Sequence, residues 1–251
     1  MMIKITAKCS MGCKHCMNDA KPNGGHMDFD TFKKTIDFQN KYGGPFFMIT
    51  GGEPSEHPEF KKFLEYAAQN TNAFITVATN GLWMLTDPEF VTYCMNKYQV
   101  QVMFQVSYDS RYYPVPLNLS LPVFQLDNVV TIDTIPKIYP QGRALTNGME
   151  WEAKGSKCFN VRAVAHQVDF KDLRHVIGIL AVKEKICTPH IAIDGSIKLG
   201  ESDLCPACSH IDKTNDEIMS DILNFRCNAC SRINDNLPEQ YRKLIGESDE
   251  V

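Results

Sequence analysis

Short β-rich segments alternate with helical segments through the first half of this chain. The β-rich segments are apolar runs, mostly of β-branched or aromatic residues, bounded by Gly, Pro, Asn or Asp. They occur at 2–8, 45–50, 73–79, 100–107, 128–135 and 159–166. Between the first four runs, apolar residues recur at helical spacing, as at Phe29, Phe32 and Ile36. Because strand and helix alternate at least three times, the sequence predicts a parallel sheet with helices outside it.

Aspartate and proline mark where the helices begin. Asp28, His57-Pro58 and Asp87-Pro88 precede helical segments, and proline suits a first turn because an N–H there would have no partner. After residue 110 the alternation weakens, since three prolines and the lack of helical spacing predict a loop. The later elements expected are a helix at 170–185, a hairpin at Asp194-Gly195 and a helix at roughly 214–225.

Length and composition are typical of a globular protein. With 251 residues, 43% of them hydrophobic, the chain can bury one large domain plus an appendage. Its formal charge of −4 and scattered basic residues make nucleic acid an unlikely partner, because neutralising phosphates needs concentrated Lys and Arg. No apolar run approaches the ~18 residues of a membrane span, and the N-terminus lacks a secretory signal. We expect a cytoplasmic protein with no membrane partner.

The ten cysteines of the chain fall mainly into two groups. Cys94 lies at an apolar helical position, which favours a core residue, and Cys158 stands alone as a further ligand or a free thiol. In a reducing compartment the remaining thiols are available as ligands rather than disulfides, so two separate cofactor sites are predicted. The first group is Cys9, Cys13 and Cys16, and the second is Cys187, Cys205, Cys208, Cys227 and Cys230.

The first cysteine group follows the first predicted strand. In parallel α/β folds the loop after a strand lies at the carboxyl edge of the sheet, where functional sites are found. Three cysteines without a fourth fit an iron–sulfur cluster with one open iron better than a closed structural zinc site, which needs four protein ligands. A zinc site completed by His15 or His26 is the alternative.

At this point the sequence resembles a known family. The stretch CSMGCKHC at 9–16 matches the C-x-x-x-C-x-x-C motif of the radical S-adenosylmethionine (radical SAM) enzymes, and TGGEP at 50–54 resembles their glycine-rich motif. ATNG at 78–81 and VSYDS at 106–110 follow the next two strands in the expected order. The resemblance covers about residues 1–145. It implies a partial (β/α)6 TIM-like barrel over 1–170, followed by a small hairpin-and-helix extension over 171–251.

The resemblance also implies a set of cofactor contacts. A [4Fe–4S] cluster would be held by Cys9, Cys13 and Cys16, and its open iron would bind S-adenosylmethionine. Backbone groups of the glycine-rich motif would receive the methionine amino group, since glycine lets a ligand approach the main chain. That motif comprises Gly51, Gly52, Glu53 and Pro54.

Four further residues are candidates by the same resemblance. His15 precedes the third cysteine, where the family usually has an aromatic residue near the adenine, and its alternative is a solvated loop histidine. Asn80, Ser107 and Asp109 lie at predicted strand ends, with ribose or carboxylate contacts as their functional interpretation. Turn formation by these residue types is the alternative.

The second cysteine group has two interpretations. CPAC at 205–208 and CNAC at 227–230 have the spacing of a zinc site. The order of the cysteines also resembles the twitch or SPASM extension of radical SAM enzymes, which carries an auxiliary [4Fe–4S] cluster. In that mapping Cys208 is surplus, and the ligands are Cys187, Cys205, Cys227 and Cys230.

The function that the resemblance implies is radical chemistry on a compact organic substrate or a peptide residue, with electrons from a donor such as flavodoxin or ferredoxin. A ribosomal-peptide maturase acting on a precursor peptide is an alternative, and a non-catalytic zinc and iron–sulfur binding module is an alternative of another class.

Gly142-Arg143 resembles a glycine–arginine pair of the family, whose guanidinium would bind a carboxylate. A surface arginine is the other interpretation.

Overall fold

A mixed sheet of eight strands organises the part of the chain that the structure describes. This structure, a computed structural model, describes residues 1–42, 44–133, 142–149, 189–200 and 206–225. The spatial order is β5-β4-β3-β2-β1-β6-β7-β8. The strands are β1 Met2–Thr6, β2 Phe46–Gly51, β3 Phe74–Thr79, β4 Val102–Ser107, β5 Val129–Ile132, β6 His190–Ile191, β7 Ser196–Lys198 and β8 Ala207–His210.

Strands β1 to β5 are parallel, and helices connect the first four of them. The helices are α1 Phe29–Tyr42, α2 Phe60–Asn70, α3 Pro88–Tyr98, α4 Gly142–Thr146 and α5 Asn215–Asn224. Side-chain caps start two of them as expected: Thr31 N donates to Asp28 Oδ1 at 2.9 Å, and Phe90 N donates to Asp87 Oδ1 at 3.4 Å. Parallel connection brings the carboxyl ends of β1 to β4 to one edge of the sheet.

One face of the parallel strands is buried against the helices. Alternate residues point to opposite faces, and in β2, β3 and β4 the alternation is between buried and partly exposed positions. Cys94 of α3 is fully buried in this core, which confirms its structural interpretation. The fully buried sheet and helix side chains include Ile3, Ile5, Ile49, Ile75, Val77, Phe104, Phe32, Ile36, Phe63 and Leu64.

The first five predicted strands and the first three helices are confirmed. The predicted strand at 159–166 and helix at 170–185 lie outside the described residues, as does the expected domain boundary at 170–171. Between Tyr108 and Asn128 the only helical turn is a 3-10 helix at Pro122–Gln125, which agrees with the predicted loop. A parallel-rich α/β fold consistent with the expected TIM-like barrel is therefore observed.

The Asp194-Gly195 hairpin and the following helix are also confirmed. Strands β6 and β7 are antiparallel, and Gly195 has the positive φ of 83° that a tight turn requires. A capping box of Thr214 and Glu217 starts α5. Since β6 pairs in parallel with β1, the hairpin extends the main sheet rather than standing apart from it.

Candidate functional site

The three cysteines of the first group lie in one loop after β1. This loop folds back on its own entry, because Cys9 N donates to Lys21 O at 3.0 Å and Lys21 N to Ala7 O at 3.3 Å. Cys13 is buried, and Cys9 and Cys16 are half-buried. The three thiols therefore lie, buried or half-buried, in a loop whose two ends are hydrogen-bonded to each other.

The thiols lie close enough to influence one another's protonation. Burial and, to a smaller extent, the nearby charges of Glu53, Glu56 and Cys16 raise the pKa of Cys9 to about 11. Burial and the charges of Cys9 and Cys16 raise the pKa of Cys13 to about 12. The neutral thiol is thus the stable form of Cys9 and Cys13 in the free loop, and binding of a metal centre releases their protons.

The donor set fits a cluster better than a single zinc ion. Among the described residues, no three His, Cys, Asp or Glu side chains converge on a point that one metal ion could occupy. His26 is engaged elsewhere, since its Nδ1 lies 2.9 Å from Thr6 Oγ1. Three thiolates of a [4Fe–4S] cluster bind three different irons and need not converge. The zinc site completed by His15 or His26 stays the alternative prediction.

The glycine-rich segment after β2 is hydrogen-bonded to the entry of the cysteine loop. Gly52 N donates to Thr6 O at 2.7 Å, and Glu53 N donates to Lys8 O at 2.8 Å. A Cβ atom at Gly51 would lie 2.3 Å from Thr6 O, and one at Gly52 would lie 2.2 Å from Lys8 O. Only glycine fits this approach, so the two motifs form one unit. With these N–H groups occupied, carbonyl oxygens are the backbone groups that can accept from a ligand amino group.

Glu53 has a role in the structure that the sequence did not reveal. Its side chain is 2% exposed, Oε1 accepts from Thr79 Oγ1 at 2.7 Å, and Oε2 accepts from Asn80 N at 2.7 Å. Ser55 adds hydrogen bonds from its hydroxyl at 2.8 Å and its N–H at 3.2 Å. Burial raises the pKa of this carboxyl, and these hydrogen bonds oppose the rise. The carboxyl group joins the ends of β2 and β3, and Pro54 follows it, buried, in the first turn of a 3-10 helix.

Asn80 and Asp109 both stabilise turns. The Asn80 side chain accepts from Leu82 N at 2.9 Å, as in a local Asx turn. Asp109 is buried and receives Arg111 Nε at 2.9 Å and Arg111 Nη2 at 2.6 Å. Ser107 is the last residue of β4 and is partly exposed at the same edge. The turn-forming alternative therefore accounts for the contacts observed at Asn80 and Asp109.

His15 lies among tyrosines that the sequence analysis did not single out. Its ring centroid is 5.2 Å from that of Tyr112 and 5.1 Å from that of Tyr113, which is 5.4 Å from Tyr108. Burial lowers the pKa of His15 and raises that of Tyr113, where the charges of Cys13 and Glu53 add to the rise. Only the pair of tyrosines in VSYDSRYY could have pointed to this cluster.

Two buried polar atoms of the cysteine loop have no hydrogen-bond partner within the described part of the chain. They are His15 Nδ1 and Asn18 Oδ1. Buried polar atoms are nearly always hydrogen-bonded in folded proteins, and exceptions often mark a binding site. Together with the three thiols, these two atoms fit a polar ligand beside a cluster.

For the second cysteine group the structure describes one member. Cys208 lies in β8, half-buried, and its Sγ lies 3.2 Å from Ile197 O. The other members, Cys187, Cys205, Cys227 and Cys230, lie outside the described residues, and so does Cys158. The auxiliary site therefore stays a prediction.

Comparisons with known proteins agree with this geometry. Residues 3–111 match the family model of the Radical SAM superfamily, which supports a place for the chain in that superfamily. That superfamily uses a [4Fe–4S] cluster and S-adenosylmethionine, and the members of it that are similar to this chain are enzymes.

In the described part of the chain, no helix is both long and apolar enough to cross a membrane.

Two curated relatives each match less than half of the chain. The antilisterial bacteriocin subtilosin biosynthesis protein AlbA of Bacillus subtilis (strain 168) is 29% identical over 108 residues, 43% of this chain and 23% of AlbA. The AdoMet-dependent heme synthase of Methanosarcina barkeri (strain Fusaro / DSM 804) is 30% identical over 90 residues, 35% of this chain and 25% of that protein. The matches thus span a quarter or less of each relative.

A solved structure is similar to this chain in fold. The crystal structure of BtrN in complex with AdoMet and 2-DOIA has a TM-score of 0.53 and 14% sequence identity, and the match covers 100% of this chain and 92% of that one. At this identity the likeness concerns the fold alone.

Proposed function

We propose that this chain is a radical SAM enzyme. The observation that carries the proposal is the joining of the two motifs, because Gly52 and Glu53 donate to Thr6 and Lys8 directly before the three thiols. When bound, the reduced cluster supplies the electron that splits S-adenosylmethionine into methionine and a 5′-deoxyadenosyl radical able to abstract hydrogen from an unactivated carbon. The chain's own residues hold, orient and shield these cofactors.

Each part of the site has a distinct task in this proposal. Cys9, Cys13 and Cys16 hold the cluster and leave one iron open. The glycines at 51 and 52 let their segment pack against Thr6 O and Lys8 O at the entry of the loop, and His15 Nδ1 and Asn18 Oδ1 supply polar contacts from the loop. Tyr112 and Tyr113 pack beside His15, and Tyr108 packs against Tyr113. These rings restrict water, which matters because a carbon radical must be kept from side reactions.

The substrate is either a compact organic molecule or a residue of a peptide. The peptide alternative, a ribosomal-peptide maturase, is favoured by the 29% identity to a protein named for the biosynthesis of the bacteriocin subtilosin. An electron donor such as flavodoxin or ferredoxin would reduce the cluster. Cys187, Cys205, Cys227 and Cys230 would bind a second, auxiliary [4Fe–4S] cluster, with zinc as the alternative ion.

The test of the cluster site is a comparison of single cysteine variants. The full chain is purified anaerobically, reduced with dithionite and incubated with S-adenosylmethionine, and 5′-deoxyadenosine is measured by mass spectrometry. Replacing Cys9, Cys13 or Cys16 by Ala should abolish the product, because each change removes one of only three ligands. Cys94→Ala is the matched control, since Cys94 is a core residue, and it should keep the product. Product from any of the three loop variants contradicts the proposal.

Metal analysis of the same preparations tests the second site. About eight irons per chain with matching sulfide would support two [4Fe–4S] clusters, and about four irons with one zinc would support one cluster and a zinc site. A wild-type protein without iron would contradict both the cluster and the enzymatic proposal.

A further inference from the structure

The segment 142–149 is bound to the cysteine loop, although the two are far apart in the sequence. Arg143 donates through Nη1 to Cys13 O at 3.0 Å and through Nη2 to Ala20 O, and its backbone N donates to Cys16 O at 2.9 Å. The side chain is 22% exposed, and its Nε lies 3.6 Å from Asp19 Oδ1. The guanidinium is thus directed at carbonyl groups of the second half of the loop, rather than towards a ligand carboxylate.

Two residues near Arg143 in the sequence, Gly142 and Asn147, also contact the cysteine loop. A Cβ atom at Gly142, where φ is 54°, would lie 2.5 Å from Met17 O, so a larger residue would push the segment away from the loop. Asn147 Nδ2 donates to Lys14 O at 2.9 Å. The 142–149 segment therefore contacts the loop through a sterically required glycine and two side chains.

A carboxylate holds the first half of the loop. Glu56, in the 3-10 helix Pro54–Glu56, accepts from Ser10 N at 2.7 Å through Oε1 and from Ser10 Oγ at 2.8 Å through Oε2. Ser10 directly follows Cys9, so this carboxylate lies beside the first thiol. The cysteine loop is consequently held by an anion near Cys9 and by a cation at Cys13.

We propose that Arg143 and Glu56 are positioning residues that hold the loop from its two halves and shift the reduction potential of its cluster in opposite directions. The inference rests on the proposed function, since it needs a cluster on Cys9, Cys13 and Cys16. Reduction adds a negative charge to a centre already bound by three thiolates. A cation stabilises that charge and raises the potential, whereas an anion lowers it. The effect of Arg143, whose side chain is 22% exposed, should be the larger, because the hydrogen bonds of Glu56 to Ser10 are exposed to screening by solvent.

The experiment measures the midpoint potential of the first cluster by redox titration followed with electron paramagnetic resonance. It uses the reconstituted full chain with Cys227→Ala as the common background, so that the signal of an auxiliary cluster is removed. Arg143→Gln should lower the potential by about tenfold in the one-electron reduction equilibrium, which equals 59 mV, and Glu56→Gln should raise it by a smaller amount. Lys61→Gln is the control for charge, since Lys61 pairs with Asp87 between α2 and α3 and the potential should stay unchanged.

A second variant separates charge from geometry. Arg143→Lys keeps the positive charge but loses the planar fork that reaches two carbonyl groups. It should keep the wild-type potential and bind less iron per chain than wild type. Asn147→Ala removes a neutral contact from the same segment and should leave the potential unchanged.

Two results would overturn the inference. One is a wild-type potential in both Arg143→Gln and Glu56→Gln, and the other is a shift of the same sign in both. If Arg143→Gln binds no cluster, the inference is tested by the potential of Glu56→Gln alone. A higher potential than in the background protein supports the inference, and an unchanged potential contradicts it. Absence of a reducible cluster in the background protein would instead refute the proposed function, so the two failures are distinguishable.

Discussion

Replacing Glu53 should destabilise the protein strongly, although no part of its side chain needs to touch a ligand. The carboxyl group is 2% exposed, and it accepts from the buried Thr79 hydroxyl and from Asn80 N, both at 2.7 Å. In Glu53→Ala both donors lose their acceptor within the protein interior. Each unsatisfied buried donor costs about 1–3 kcal/mol, so we expect the free energy of unfolding to fall by about 4 kcal/mol.

The same contacts predict a smaller loss of unfolding free energy for the conservative change Glu53→Gln. Glu53→Gln keeps one acceptor oxygen, but the amide NH2 must then face either Asn80 N, which is a donor, or the Thr79 hydroxyl. That hydroxyl already accepts from Gly81 N and Trp83 Nε1, so it has no lone pair left for the amide. One hydrogen bond is lost, at a cost of about 1–3 kcal/mol. Glu89→Gln is the matched control, because Glu89 is exposed in the first turn of α3 and its change should stay within about 0.5 kcal/mol.

The measurement is thermal and urea unfolding of the full chain, followed by far-ultraviolet circular dichroism. For a protein of this length 1 kcal/mol corresponds to about 2–4 °C in Tm, so Glu53→Ala should unfold roughly 8–16 °C below wild type. Iron content should fall as well, because Asn80 and the glycine-rich segment lose their common anchor. A Glu53→Ala protein as stable as Glu89→Gln would refute the assignment of Glu53 as a structural joint between β2 and β3.

Two further predictions concern the same edge of the sheet. Gly52→Ala should lose most of the bound iron, because a Cβ atom would lie 2.2 Å from Lys8 O, whereas Gly44→Ala, with no atom within 4 Å, should keep it. His57 donates through Nε2 to Met27 O at 2.9 Å and accepts Glu59 N at 3.0 Å through Nδ1, and burial lowers its pKa. The stability from this neutral ring should be present above about pH 6.5 and be lost as the pH falls through the lower folded-state pKa. Urea unfolding between pH 7 and pH 5 should show a shallower pH dependence in His57→Gln, and an equal slope would contradict the reasoning.

The sequence predicted the framework of the site because that framework depends on local patterns. Runs of β-branched residues with glycine or proline at their ends specify strands, and a motif directly after a strand must lie at its carboxyl edge. The cysteine loop and the glycine-rich segment were therefore placed correctly beside each other. Helix starts at Asp28 and Asp87 were predictable for the same reason, since capping involves residues three positions apart.

The contacts that were missed depend on tertiary structure. Arg143 reaches Cys13 O across 130 positions of sequence, and no local pattern specifies that pairing. The role of Glu53 requires β3 to lie beside β2, which brings Thr79 to its carboxyl group. Asp109 was a candidate because it follows a strand, but its pairing with Arg111 is a matter of side-chain conformation that the sequence does not determine.

The hydrogen bonds from Gly52 and Glu53 to Thr6 and Lys8 have a consequence for biosynthesis. When the three thiols of the loop emerge from the ribosome, Gly52 and Glu53, whose N–H groups shape the loop's entry, have not yet emerged. Arg143 arrives later still. The loop can therefore bind an iron–sulfur cluster in its final shape only after β2 has paired with β1. Before that pairing, the three cysteines could instead bind any other soft metal ion present.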